Sequence, residues 1–176
     1  MKNKISTYIL ILLPLCIFSQ NKGQVISEFG KTYEVSAPGF KTDLQHELKV
    51  VFDVGRNFDD STKVNPLIHT AARYLNMHVD AGVAFKNLKV ALVIHGSAAN
   101  DILNNTKYNS IYGIDNPNAP LIAQLSAKGV QIILCGQTAA HRKILNDDTL
   151  PEIKMALSAM TALVQLQNEN YRLINF

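Results

Sequence analysis

Residues 88–96 read LKVALVIHG, and residues 48–55 read LKVVFDVG. Each run is apolar on both side-chain faces, rich in β-branched residues and closed by a glycine. A half-exposed strand alternates polar and apolar residues, whereas a near-continuous apolar run marks a strand covered on both faces. Residues 130–134 (VQIIL) form a third run of strand type, directly ahead of Cys135 and Gly136.

The segments between these strands carry helical signals. Asn65 and Pro66 supply a cap and a first-turn proline. Ile68, Ala71, Ala72, Leu75 and Val79 follow at helical spacing, and Gly82 ends the run. Ser97 caps a short helix to about Leu103, residues 118–128 form a helix stopped by Gly129, and Gly136 begins another helical turn. Pro151 opens what reads as the longest helix, with Ile153, Ala156, Leu157, Met160, Leu163, Val164 and Gln167 along one stripe. Residues 171–176 (YRLINF) give a last strand. The polar stretch 104–117 reads as a loop, long enough for a functional lid. Strands alternating with helices predict an α/β sandwich around a mostly parallel sheet. Residues 20–47, polar and holding Gly23, Gly30, Pro38 and Gly39, read as an extended lead-in with a short strand at 31–35. The domain proper takes residues 48–176. The composition, 47% hydrophobic and 18% charged, is that of a globular domain.

Residues 1–19 have the layout of a secretory signal peptide. Lys2 and Lys4 precede the apolar run 8–18 (YILILLPLCIF), with cleavage expected near Ser19 and Gln20. The run is too short to span a bilayer, which takes about 20 apolar residues, and Pro14 argues against a buried helix. The expectation is a periplasmic or secreted protein with no stable membrane insertion after cleavage. Cys16 in LPLC loosely matches a lipoprotein site, but Leu15 is large where such sites want a small residue. Cleavage removes Lys2 and Lys4 and no acid, which lowers the net charge from +3 to +1. No basic patch remains to imply nucleic acid as a partner. Cleavage also removes Cys16, one of 2 cysteines, so Cys135 is left without an intramolecular partner. A lone thiol in an oxidising compartment is reactive or intermolecular unless something shields it.

Ligands of open α/β sheets gather beyond the carboxyl ends of the strands. The three strands end at Asp53, His95 and Cys135, which share a crevice if the strands are neighbours. The helix N-terminus after Cys135 directs N–H groups towards the sulfur and favours the thiolate. His141 and Arg142, about two turns on, add positive potential. Gly136 leaves room beside the sulfur for a second sulfur atom. The plainer interpretation stands beside this one. Free cysteine often serves as an apolar filler, a strand-end histidine is often a satisfied core group, and Asp53 serves equally as a loop cap. His46, His69 and His78 follow no metal-ligand pattern, so no metal is expected. GxGxxG, Walker and GxSxG motifs are missing, and HGSA at 95–98 lacks the second glycine of a nucleophile elbow.

Together LKVVFDV, LKVALVIHG, NPNAPLIAQLSAKGV and VQIILCGQTAAHR resemble the DsrE/DsrF-like family over about residues 47–176. The lead-in FGKTYEV resembles that of its secreted branch. The resemblance implies a three-layer α/β/α fold and homo-oligomers, commonly trimers or hexamers. It also implies a persulfide on the cysteine matching Cys135, as in the sulfur-relay members. Gly136 and Gln137 fall within the matched CGQT, and Arg142 lies where some members have a basic residue. Two functions from different classes follow. In one, Cys135 takes up sulfane sulfur from a donor protein or small molecule and passes it to an acceptor thiol, without metal or organic cofactor. His95 orients or assists, and residues 104–117 limit access. In the other, the chain is a non-catalytic periplasmic module that binds a small molecule or protein, and Cys135 is packing. Shielding of the thiol further predicts a homo-oligomer with residues 104–117 or the lead-in of one chain near Cys135 of another. Tyr108, Ile111 and Tyr112 are candidate contacts, unless the tyrosines pack on their own chain.

Overall fold

A computed structural model describes residues 20, 21 and 23–176. The expected signal segment 1–19, with Cys16, lies outside them. A small antiparallel pair, β1 (Gln20–Asn21) and β2 (Thr32–Tyr33), precedes the main sheet. The main sheet contains β3 (Leu48–Val54), β4 (Leu88–Ile94), β5 (Gln131–Cys135), β6 (Lys154–Ala156) and β7 (Arg172–Asn175). Its order is β6-β5-β4-β3-β7, and every neighbouring pair is parallel. The helices are α1 (Pro66–Asp80), α2 (Asn105–Tyr112), α3 (Ala119–Ala127), α4 (Gly136–Arg142) and α5 (Ala159–Asn168).

The continuous apolar strands are explained by the two covered faces. Val50, Phe52 and Val54 share one face with Leu92, Ile94, Ile132 and Leu134, beneath α1 and α3. Val51, Ala91, Val93 and Cys135 turn to the other face, beneath Ala159, Ala162 and Leu166 of α5. The result is a three-layer α/β/α sandwich. Small side chains dominate the second face, so α5 lies close to the sheet there.

The lead-in is fastened to α1 by one buried side chain. Asn76 accepts from the N–H groups of Val25 (3.1 Å) and Ile26 (2.9 Å), and its amide donates to the carbonyls of Ile26, Phe29 and Gly30. Ile26 thereby enters the core. Gly23 passes so close to the Asn76 side chain that a Cβ there would overlap it.

Three expectations need correction. The stretch 104–117 is largely helical, because Asn104 caps α2 by accepting from the Lys107 N–H at 2.8 Å and Gly113 closes it in the left-handed region. Polar side chains there mark a helix surface as well as caps. Pro151 does not open a helix: residues 154–156 form the edge strand β6, and Ser158 caps α5 by accepting from the Thr161 N–H at 3.0 Å. Ala159, Ala162 and Leu166 are the buried positions of α5, while Met160 and Val164 of the expected stripe face outward. Among the described residues the longest helix is α1, with 15 residues. Finally, residues 96–102 are a 3-10 helix, and Ser97 Oγ accepts from the Asn57 N–H at 3.0 Å instead of capping.

Candidate functional site

Adjacent parallel strands in register bring β3, β4 and β5 to a common carboxyl edge: Val54 pairs with Ile94, and Ile94 with Leu134. Asp53, His95 and Cys135 therefore lie along that edge. His95 Nε2 and Asp53 Oδ1 are 2.8 Å apart, and both side chains are partly exposed. A Cβ on Gly55 would come within 2.8 Å of the His95 ring, so the glycine makes space for the imidazole. Gly96 has φ +56°, and a Cβ on it would overlap the Gly55 carbonyl. The backbones after β3 and β4 thus run in contact immediately behind the histidine.

Cys135 ends β5, pairs with Ala156 and stands at the N-cap position of α4. It is 6% exposed. Burial pushes its thiol up. The Thr138 hydroxyl pulls it down, helped by the N–H groups of Thr138, Ala159 and Gln137, and the net displacement is below the ordinary thiol value. The sulfur makes no capping hydrogen bond into α4, so these groups favour the thiolate by facing it. Thr138 also links the neighbouring strand end, because its Oγ1 accepts from the Gly96 N–H at 3.2 Å. One hydroxyl thus couples the turn after His95 to the sulfur.

Other expected members stand apart. Gln137 is exposed, and His141 and Arg142 are exposed in the last turn of α4, at its far end from the sulfur. The groups that displace the thiol do not include either of those cations. The space beside Gly136 is not vacant: a Cβ there would lie 2.5 Å from the Ala156 carbonyl oxygen, because the connection from β6 to α5 crosses it. Tyr108 is buried and donates to the Ser61 carbonyl at 2.8 Å, and the Tyr112 hydroxyl accepts from Asn100 at 2.8 Å. Both tyrosines pack on their own chain, and only Ile111 of that trio is exposed.

Sequence reading missed Thr138. Its signal lay in its position, third after the strand-ending cysteine, where a side chain can turn back to the cap.

The model of the DsrE/DsrF-like family matches residues 62–176. Among solved structures, the protein of unknown function MTH1491 from Methanobacterium thermoautotrophicum is similar at 18% identity and a TM-score of 0.55. That match covers 74% of this chain and 100% of the other. The ychN protein from E. coli is similar at 16% identity and a TM-score of 0.54, over 73% of this chain and 99% of the other. These likenesses are of fold. No curated protein matches.

Proposed function

The chain belongs to the DsrE/DsrF-like family, a family related to sulfur relay, and from that membership we propose that Cys135 carries sulfane sulfur as a persulfide. The observation that carries the reading is the thiol held below its ordinary pKa despite burial, by Thr138 and three backbone N–H groups. A thiolate is the attacking species in sulfur exchange. In the first step the Cys135 thiolate attacks the outer sulfur of a donor persulfide. The donor's S–S bond breaks, and the donor leaves as a thiolate with the bonding pair. In the second step an acceptor thiolate attacks the outer sulfur of the Cys135 persulfide, and Cys135 departs as the thiolate. Neither step changes the total oxidation state, so no external oxidant enters. His95, held by Asp53, orients or assists at the same strand edge.

The proposal includes export, supported by the composition of residues 1–19, and assembly into a homo-oligomer, trimer or hexamer. Exposed Leu157, Met160 and Val164, on the segment that packs over Cys135, support the assembly.

A second reading is favoured by one observation: Cys135 sits in an apolar cluster with Val51, Ala91 and Val93. In that reading the chain is a binding module and the thiol fills space. Iodoacetamide labelling of the folded protein across pH separates the two. A carrier labels in the native state with a midpoint below that of an ordinary thiol. A filler labels only as the protein unfolds, and that outcome rejects the carrier.

A further inference from the structure

A cavity opens in the loop between β3 and α1, on the same carboxyl edge of the sheet. It has a volume of about 280 Å³, and Phe58, Val64 and Pro66 supply its apolar lining. Asp101, from the 3-10 helix after β4, also lines it and is only 7% exposed. Asp101 Oδ2 accepts from the Asn65 amide at 2.7 Å. Asn65 is itself fixed: its amide also donates to the Arg56 carbonyl, its Oδ1 accepts from the Leu67 N–H, and its own N–H donates to Asn118. The Asp101 carboxylate is therefore held in place by the cap of α1.

Its other oxygen is uncommitted: none of the side-chain hydrogen bonds among the described residues ends on Asp101 Oδ1. No fully buried side-chain oxygen or nitrogen among those residues lacks a partner, so Oδ1 keeps some exposure, and Asp101 lines this cavity. Asp60 and Lys63 also line the cavity. Lys63 Nζ lies 2.8 Å from Asp60 Oδ2, Arg56 stacks over the Phe58 ring at 5.3 Å, and Tyr108 of α2 donates to Ser61. A nearly buried carboxylate with one free oxygen is costly unless a donor or cation meets it.

We propose that this cavity binds a small organic cation, a primary ammonium on a short apolar body, with Asp101 as its anchor. The volume falls just below the roughly 300–1,000 Å³ of drug-sized pockets, which restricts the body to a short chain or a single ring. A metal ion fits less well, since no group of three or more His, Cys, Asp or Glu side chains converges among the described residues. Burial raises the Asp101 carboxyl to about 6, against the opposing bond from Asn65. The site is thus ionised at neutral pH and discharged a unit or two below it. This site is independent of the role of Cys135.

Benzylammonium chloride is the probe, with benzyl alcohol as its neutral counterpart, followed by amide chemical shifts of the whole protein. The expected result is saturable shifts at residues 58–66 and 101, with the alcohol at least about tenfold weaker, as suits one charge-assisted bond. Asp101→Asn keeps an acceptor for Asn65, and it should weaken the amine about tenfold or more without changing the alcohol. In the unaltered protein, lowering the pH from 7 to 5 should weaken the amine by about tenfold, from the ionised fraction of a group near 6. Equal binding of amine and alcohol, or amine binding indifferent to both the substitution and the pH, overturns the proposal.

Discussion

Thr138 is the residue on which the reactivity of Cys135 turns. Its hydroxyl heads the groups that lower the thiol against the upward push of burial, and the same oxygen receives the Gly96 N–H. Thr138→Val keeps the shape and removes both interactions. The midpoint of native-state alkylation should then rise by about one to two pH units, given the size of one hydrogen bond to a charged group. Thr138→Ser should restore it. An unchanged midpoint in Thr138→Val places the lowering elsewhere. Asp101 offers a second prediction at this scale, through stability. Its folded carboxyl stands near 6 against a reference of 3.8, mainly because of burial. A raised acid favours the folded state fully below pH 3.8, and that contribution disappears as the pH rises through about 6. Asp101→Asn removes the penalty, so its melting temperature should exceed that of the parent at pH 7, and the gap should close near pH 4. A gap that persists at pH 4 contradicts this origin.

The lead-in depends on α1 as an element. Asn76 satisfies five backbone groups of residues 25–30, and His69 Nε2 accepts from the Gly30 N–H at 2.9 Å. Asn76→Ala leaves several of these groups unpaired and should cost about 3 kcal/mol in denaturant unfolding, at 1–3 kcal/mol for each buried orphan less local relaxation. His69 makes the same attachment sensitive to pH. Burial, then Arg73, lowers its pKa from 6.5. A lowered histidine contributes fully above 6.5, and its contribution is lost as the pH falls through the folded value. Hydrogen exchange at the Gly30 amide, corrected for intrinsic rate, should accelerate on acidification below 6.5. His69→Gln should abolish that dependence.

These two elements also show why the sequence was only partly legible. The helical run ending at Gly82 and the strands LKVVFDV and LKVALVI were read correctly because periodicity and burial point the same way in them. Residues 151–168 misled because β6 has only three residues, too few to show a period, and Pro151 imitates a helix start. Ser158, the true cap, was masked by apolar neighbours on both sides. Asn76 gives no signal in the sequence, since nothing local announces a contact 50 residues back.

At the scale of the whole molecule, strand order decides what meets. Asp53, His95 and Cys135 lie far apart in the chain, and only the order β5-β4-β3 puts their strand ends side by side. The sequence named those strand ends, but the order and the Thr138 link depended on tertiary packing. Much of the shielding expected from a neighbouring subunit is present within one chain, where the turn from β6 to α5 covers Gly136. The proposed assembly is therefore tested on mass alone. Light scattering of reduced and unreduced protein should give the same trimer or hexamer mass. A monomer in both conditions rejects the assembly, and an oligomer lost on reduction shows a disulfide joining the chains.

The central claim is a persulfide on Cys135, and intact-protein and peptide mass spectrometry tests it most directly. After brief exposure of the folded protein to inorganic polysulfide, the account requires one added sulfur, about +32 Da, on the peptide containing Cys135. The adduct should be removed by a small acceptor thiol and be missing in Cys135→Ser. A protein that stays folded yet gains no mass at Cys135, or that gains it equally in Cys135→Ser, contradicts the account.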